Sequence, residues 1–171
     1  VRRVLRGARS AIASYIVPAS ERFLVNSWLY VCADRTYSSV KLDETVRRHI
    51  RRAEQQLTFS WLDAGALLTH GFGAFQETRR RNGLSDGTET DFRVRFENFF
   101  ENPAQHAVGA WHNGSLVAFM ACTVVGDWAE IGGFSVDDNV RTRANNGLVH
   151  RVLTHFLVER GFRVVSYGLS S

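Results

Sequence analysis

The sequence predicts a single α/β domain of the α+β kind, and three observations carry that reading. The first is size: 171 residues, 44% of them hydrophobic and 22% charged, suffice to bury one core without disulfide or metal staples. The second is the element pattern. Segments of helical period alternate with short β-rich runs in the first half, and strands follow one another in the second. The third is turn chemistry, because Asn113-Gly114 is the strongest short hairpin signal in the chain.

From Val1 to Ile16 the apolar residues Val4, Leu5, Ala8, Ile12 and Tyr15 share one helical stripe, opposite Arg2, Arg3, Arg6 and Arg9. Such a basic amphipathic helix can lie on an anionic membrane, act as a targeting segment or pack on the domain. Phe23 to Val31 is rich in β-branched and aromatic residues and reads as a strand. Asp43 then caps a helix to about Gln56, with Val46, Ile50, Ala53 and Leu57 facing inward and Arg47, Arg48, Arg51 and Arg52 outward. Leu57 to Leu62 is a short strand, and Asp63 caps a helix that runs to about Arg81 and stops at Asn82-Gly83.

A polar loop, Ser85 to Thr90, leads to a helix from Asp91 to Phe100 with Phe92, Phe96 and Phe99 on one face and Pro103 beyond its end. His106 to Trp111, Leu116 to Val125 and Trp128 to Val136 form a meander turned at Asn113-Gly114 and Gly126-Asp127. Gly132-Gly133 interrupts the third of these strands, which predicts a bulge or the close approach of a ligand. Asn146 to Arg160 is a helix ended by Gly161, and Phe162 to Leu169 is the last strand.

The net charge is +4, and Lys41 is the only lysine, so the positive charge is almost all guanidinium. Arginine suits bidentate contacts to phosphate or carboxylate. That makes a nucleotide cofactor, RNA or a phospholipid surface candidate partners; solvated surface arginines explain the count equally well. Cys32 and Cys122 form no C-x-x-C and read as core residues in a reducing, cytoplasmic compartment. No run approaches the ~20 apolar residues that span a bilayer.

The six histidines, His49, His70, His106, His112, His150 and His155, lack zincin or zinc-finger spacing, so no metal site is expected. His150 and His155 read as surface residues of the last helix. No nucleophile elbow, P-loop or nicotinamide fingerprint is present.

From Leu57 onward the element order, and Ala129 to Gly168 in particular, resembles the GNAT-like acyltransferases. In that fold a strand ending in Val precedes a helix start of pattern R/Q-x-x-G-x-G/A, a long helix and a return strand. Val136 stands at the strand end, Arg141 at the first motif position, and Ala144 and Asn146 where the two glycines would be. A likeness to the FemAB-like branch lies in Arg48, Ile50, Arg51, Arg52 and Ala53, and then in Thr78, Arg79, Arg81 and Gly83.

The resemblance implies a GNAT-like mixed central sheet flanked by helices over residues 42–171, preceded by an N-terminal amphipathic helix and strand over 1–41. It implies transfer of an acyl group, acetyl or aminoacyl, to an amine, with acyl-CoA or aminoacyl-tRNA as donor. Val136, Arg141, Arg143, Ala144, Asn145 and Asn146 would bind the donor, its anion held by amides at a helix N-terminus; Asn145 or Asn146 as a plain helix cap is the alternative. Glu130 would accept the proton of the amine and Tyr167 would protonate the leaving group. Each is equally readable as a strand residue.

A small-molecule amine, or one of the cell wall or a lipid, would be the acceptor. The arginine face near Arg51 adds tRNA or a peripheral membrane contact as partners. A GNAT-like core continues past such a last strand with another helix and two strands. The chain is therefore expected to be truncated at the C-terminus, with an exposed edge at its last strand. A catalytically idle module that binds an anionic partner is the rival reading.

Overall fold

Side-chain caps set most helix starts in the computed structural model, which describes residues 28–137 and 142–170. The expected helix from Val1 to Ile16, the beginning of the strand at Phe23, and Arg141 lie outside those residues. Strand β1 (Trp28–Cys32) and a 3-10 turn (Ser39–Lys41) lead to α1 (Glu44–Gln56), whose Val46 N–H donates to the Asp43 carboxylate. After β2 (Thr58–Leu62), Asp63 caps α2 (Ala64–His70) in the same way through Ala66. Helix α3 (Phe72–Arg81) follows, and then α4 (Glu89–Glu101), which opens on a reciprocal capping box between Thr88 and Asp91.

The meander is β3 (Gln105–His112), β4 (Ser115–Val125) and β5 (Trp128–Val136). Asn113 and Gly114 both have positive φ, 51° and 81°, as a type I′ turn requires. Helix α5 (Ala144–Leu153) widens into a π-helical turn (Thr154–Glu159) and leads to β6 (Val164–Ser170). The expected single helix over 146–160 thus begins two residues earlier and ends in a wider spiral, closed by a bond from Phe162 N–H to Phe156 C=O across Gly161.

The expected helix from Asp63 to Arg81 is broken at Gly71. A Cβ there would come within 2.6 Å of Leu67 Cδ1 and 3.0 Å of Phe92 Cζ. Gly71 thus leaves bare backbone where Leu67 and, from α4, Phe92 pack against it, and the second of these contacts is not carried by local periodicity.

The six strands form one sheet in the order β1-β6-β5-β4-β3-β2. Every neighbouring pair is antiparallel except β5 and β6, which α5 connects as a crossover and which are parallel. The sheet is mixed, as expected. On one face α1 and α5 cover Val108, Met120, Cys122 and Ala129, and burial pushes the Cys122 thiol up to about 12. On the other, α2, α3 and α4 close over Phe119 with a phenylalanine cluster centred on Phe92 and Phe96.

Two expectations are corrected. The last strand is not an exposed edge, because β1 pairs antiparallel with β6, Cys32 opposite Val165 and Val31 opposite Ser166. Nor are His150 and His155 plain surface residues, since the packing of α5 brings their side of the helix against neighbours. His150 Nδ1 lies 2.9 Å from the Tyr37 hydroxyl, and the His155 ring sits 4.6 Å from that of Trp61. Burial holds the His150 imidazole below its usual range and pushes the Tyr37 phenol up to about 12.

Candidate functional site

Strands β5 and β6 stay together for only three residue pairs, Trp128 with Val164, Ala129 with Val165 and Glu130 with Ser166. Both continue, β5 to Val136 and β6 to Ser170, without pairing to each other. At the same level the register between β4 and β5 slips: Ile131 faces Cys122 and Gly133 faces Ala121. Gly132 is the extra residue, so the bulge expected at Gly132-Gly133 is present. A Cβ placed on Gly132 would meet nothing within 4 Å. The opening thus lies beyond the carboxyl ends of a parallel pair, where open α/β sheets bind ligands.

A cavity of about 380 Å³ lies against the bulge, between the sheet and helices α3 and α4. Gly132, Gly133, Ala121 and Thr123 contribute from the strands, and Phe75, Phe96, Phe99 and Phe119 form its apolar wall. Arg79 from α3 and Arg95 from α4 reach it as well. No aspartate, glutamate, histidine or cysteine is among the lining residues. Thr123 Oγ1 donates to Gln105 Oε1 at 2.9 Å within it.

Glu130 is exposed and pairs across the strands with Thr123, a lining residue. Strand alternation puts its side chain on the cavity face, at the rim. Tyr167, 55% exposed, follows the Ser166 that pairs with Glu130. The same alternation sends it to the other face, so the fold does not bring the two over one surface. Val136 is buried at the end of β5. Its N–H donates to Thr78 Oγ1 at 2.7 Å, and its C=O accepts from that hydroxyl at 3.1 Å.

Arg143 precedes α5 in the left-handed region, φ 58°, with no side-chain cap. Ala144 is buried, Asn145 exposed and Asn146 half-buried, all within the first turn. Neither asparagine caps the helix; Asn146 N–H bonds to Arg143 C=O at 3.1 Å. Sequence reasoning noted Arg79 and Thr78 only through a resemblance and passed over Arg95. The available signal was an arginine set beside Phe96 within a phenylalanine-rich helix face.

A second cavity, about 480 Å³, lies under the π-helical turn and is lined by Trp61, His106, His155, Phe156 and Arg160 among others. Burial pushes the His106 imidazole down, and the nearby Arg160 and His155 add to the effect. Among the described residues no cluster of His, Cys, Asp or Glu could hold a metal ion, and no helix is long and apolar enough to cross a membrane.

No protein-family model matches the sequence, and no curated protein matches it. Solved structures do. A domain assigned as the C-terminal part of a lysylphosphatidylglycerol synthetase from Agrobacterium fabrum superposes with a TM-score of 0.61 at 13% identity, covering 84% of this chain and 47% of that one. FemX superposes at 0.66 and 8% identity, covering 82% of this chain and 52% of FemX. An aminoglycoside acetyltransferase from an uncultured soil metagenomic sample gives 0.50 at 16% identity, covering 64% and 74%. The chain thus spans about half the length of the first two. On its sheet order, its splayed parallel pair and these superpositions, the chain has the GNAT-like fold, with FemAB-like proteins among its structural relatives.

Proposed function

We propose that this chain is an acyltransferase module that moves an acyl or aminoacyl group from a thioester or ester donor to an amine. The observation that carries the reading is the parting of β5 from β6 after Glu130, with the bulge at Gly132 and a cavity against it. An unpaired strand edge is a natural seat for an amide-containing arm, which can hydrogen-bond to it as an added strand. The donor's phosphates would lie at the start of α5, on the backbone of Arg143 to Asn146, and Arg141 is proposed as a further donor-binding residue.

In the reaction the amine nitrogen attacks the donor carbonyl carbon, and the C–S or C–O bond breaks. The proton lost by nitrogen passes to Glu130 at the cavity rim, directly or through water, and the leaving thiolate or alkoxide takes one from solvent. Holding the reactants together supplies much of the acceleration. A reducing, cytoplasmic setting suits a thioester donor and belongs to the same proposal.

The test is to incubate the protein with acetyl-CoA, and separately with an aminoacyl-tRNA, together with a panel of amines, and to read acylated product by mass spectrometry. Product is expected with one donor class and should fall at least ~10²-fold in Glu130→Gln if that carboxylate is the base. A specific observation favours the second reading, an idle module: Thr78 already satisfies both main-chain groups of Val136 at the edge of the opening. Failure of both donors to bind or react would make that the better account.

A further inference from the structure

The chemistry of the cavity wall narrows the acceptor, if the acyltransferase reading on which this inference rests is right. Five lining phenylalanines, Phe134 among them, supply apolar surface, two arginines supply charge, and no lining residue is acidic. A site built to receive a simple ammonium would carry a carboxylate. This one presents two guanidinium groups instead, which repel an ammonium and favour the neutral amine.

The two arginines differ in how they are held. Arg79 is fixed by the loop after α3: its Nε donates to the Ser85 carbonyl at 2.9 Å, and its Nη2 lies 3.4 Å from Ser85 Oγ. A Cβ on Gly87 would come within 3.2 Å of Arg79 Cδ, so that loop lies directly on the side-chain stem. Asp91, an acid close enough to feel the Arg79 charge, has its carboxylate engaged by Thr88. Arg95 makes no hydrogen bond or ion pair among the described residues. Its guanidinium stands 5.9 Å from the Phe75 ring centroid and 5.8 Å from that of Phe96, which keeps the cation over the aromatic wall. The Arg79 guanidinium also stands over the Phe75 ring, 5.6 Å from its centroid. Two guanidinium groups sharing one aromatic ring, with donors left over, match a planar or tetrahedral anion.

We infer that the acceptor taken by this cavity is an amine that also carries a carboxylate or phosphate and an apolar body. The anion seats between Arg79 and Arg95, the apolar part lies on Phe75, Phe96 and Phe99, and the amine points toward Gly132, where the sheet opens. The anion rather than the amine gives the molecule its hold.

Isothermal titration tests this with three probes: phenylalanine, which has amine, ring and carboxylate; phenethylamine, the same without the carboxylate; and dihexanoyl phosphatidylethanolamine below its micellar concentration, in which a phosphate replaces the carboxylate. At least one of the two anionic probes is expected to bind ~10-fold or more tightly than phenethylamine, the gap expected for one charge-assisted contact. Which of them does so separates carboxylate from phosphate. Arg95→Gln, an exposed change that breaks no described hydrogen bond, should abolish the preference; Arg79→Gln should weaken it; Arg93→Gln, whose partner is Glu89 outside the cavity, should leave it intact.

Equal or tighter binding of phenethylamine, no binding of any probe, or a preference that survives both cavity variants overturns the inference. Efficient acylation of phenethylamine would do so while leaving the acyltransferase reading standing. Anion-dependent binding without acyl transfer from either donor would sink that reading and leave a binding site for anionic amphiphiles.

Discussion

Replacing Thr78 with Val keeps the shape of the side chain and deletes one hydroxyl, and the structure says what that hydroxyl does. It accepts from Val136 N–H at 2.7 Å and donates to Val136 C=O at 3.1 Å. Neither group has an obvious substitute. Asp137 N–H turns toward β4, bonding Val117 C=O at 2.8 Å, so by strand alternation Val136 faces the other side, where β6 no longer pairs with β5. A buried polar group stripped of its partner costs about 1–3 kcal/mol. Thr78 is half-buried, so water can reach part of the gap, and the expected loss is about 2 kcal/mol. In a domain of this size that lowers the thermal midpoint by about 4–8 °C. Thr78→Ser retains the hydroxyl and should cost under about 1 kcal/mol for the lost methyl. Urea unfolding followed by tryptophan fluorescence gives the free energies, and amide exchange at Val136 should accelerate in the valine variant alone. Thr78→Val within about 0.5 kcal/mol of the parent, or Thr78→Ser as damaging as Thr78→Val, would refute the reasoning.

Two further outcomes follow from the packing and the titrating groups. Phe92 is fully buried, with ring centroids 5.7, 5.2 and 4.9 Å from Phe72, Phe75 and Phe96, so Phe92→Ala should cost about 3–5 kcal/mol in the same denaturation assay; a loss below about 1.5 kcal/mol would mean that the layer of α2, α3 and α4 is loosely packed. Burial lowers the pKa of His150 and of His106 from the usual 6.5, so below that value the unfolded chain binds more protons than the folded one and stability falls as pH drops through and beneath it; the urea midpoint should decline from pH 7.5 to 5.5, less steeply in His150→Asn, and an equal slope would remove His150 from the account.

Local chemistry was legible in the sequence wherever a residue acts on its own neighbours. Asp43 and Asp63 announce helix starts because their carboxylates reach amides three residues on. Asn113-Gly114 announces a hairpin, and β5 is bounded as expected from Trp128 to Val136 with its bulge at Gly132. What was hidden depends on partners distant in the chain. Phe92 packs against Gly71 from another helix, and the end of β5 is held by Thr78. The resemblance offers Glu130 and Tyr167 for the two proton transfers; which face each takes follows from register, and alternation places them on opposite faces. The cationic wall was the least visible feature. Arg79 and Arg95 lie on different helices, and only the packing of α3 against α4 around Phe75 brings them to one ring.

The pairing of β1 with β6 bears on how the chain comes to be folded. The meander and its helices join segments close in sequence, whereas β1 must wait for a strand from the far end of the described chain. Closing so long a loop carries an entropic cost before any contact rewards it. During synthesis, therefore, β1 emerges long before its partner and is among the last of the described strands to find its place. Until then its backbone is free to pair with another chain at the same stage. A missense change in β6 is consequently felt at both ends of the described sheet, and its first symptom would be exchange of β1 between copies before any loss of the helical layers.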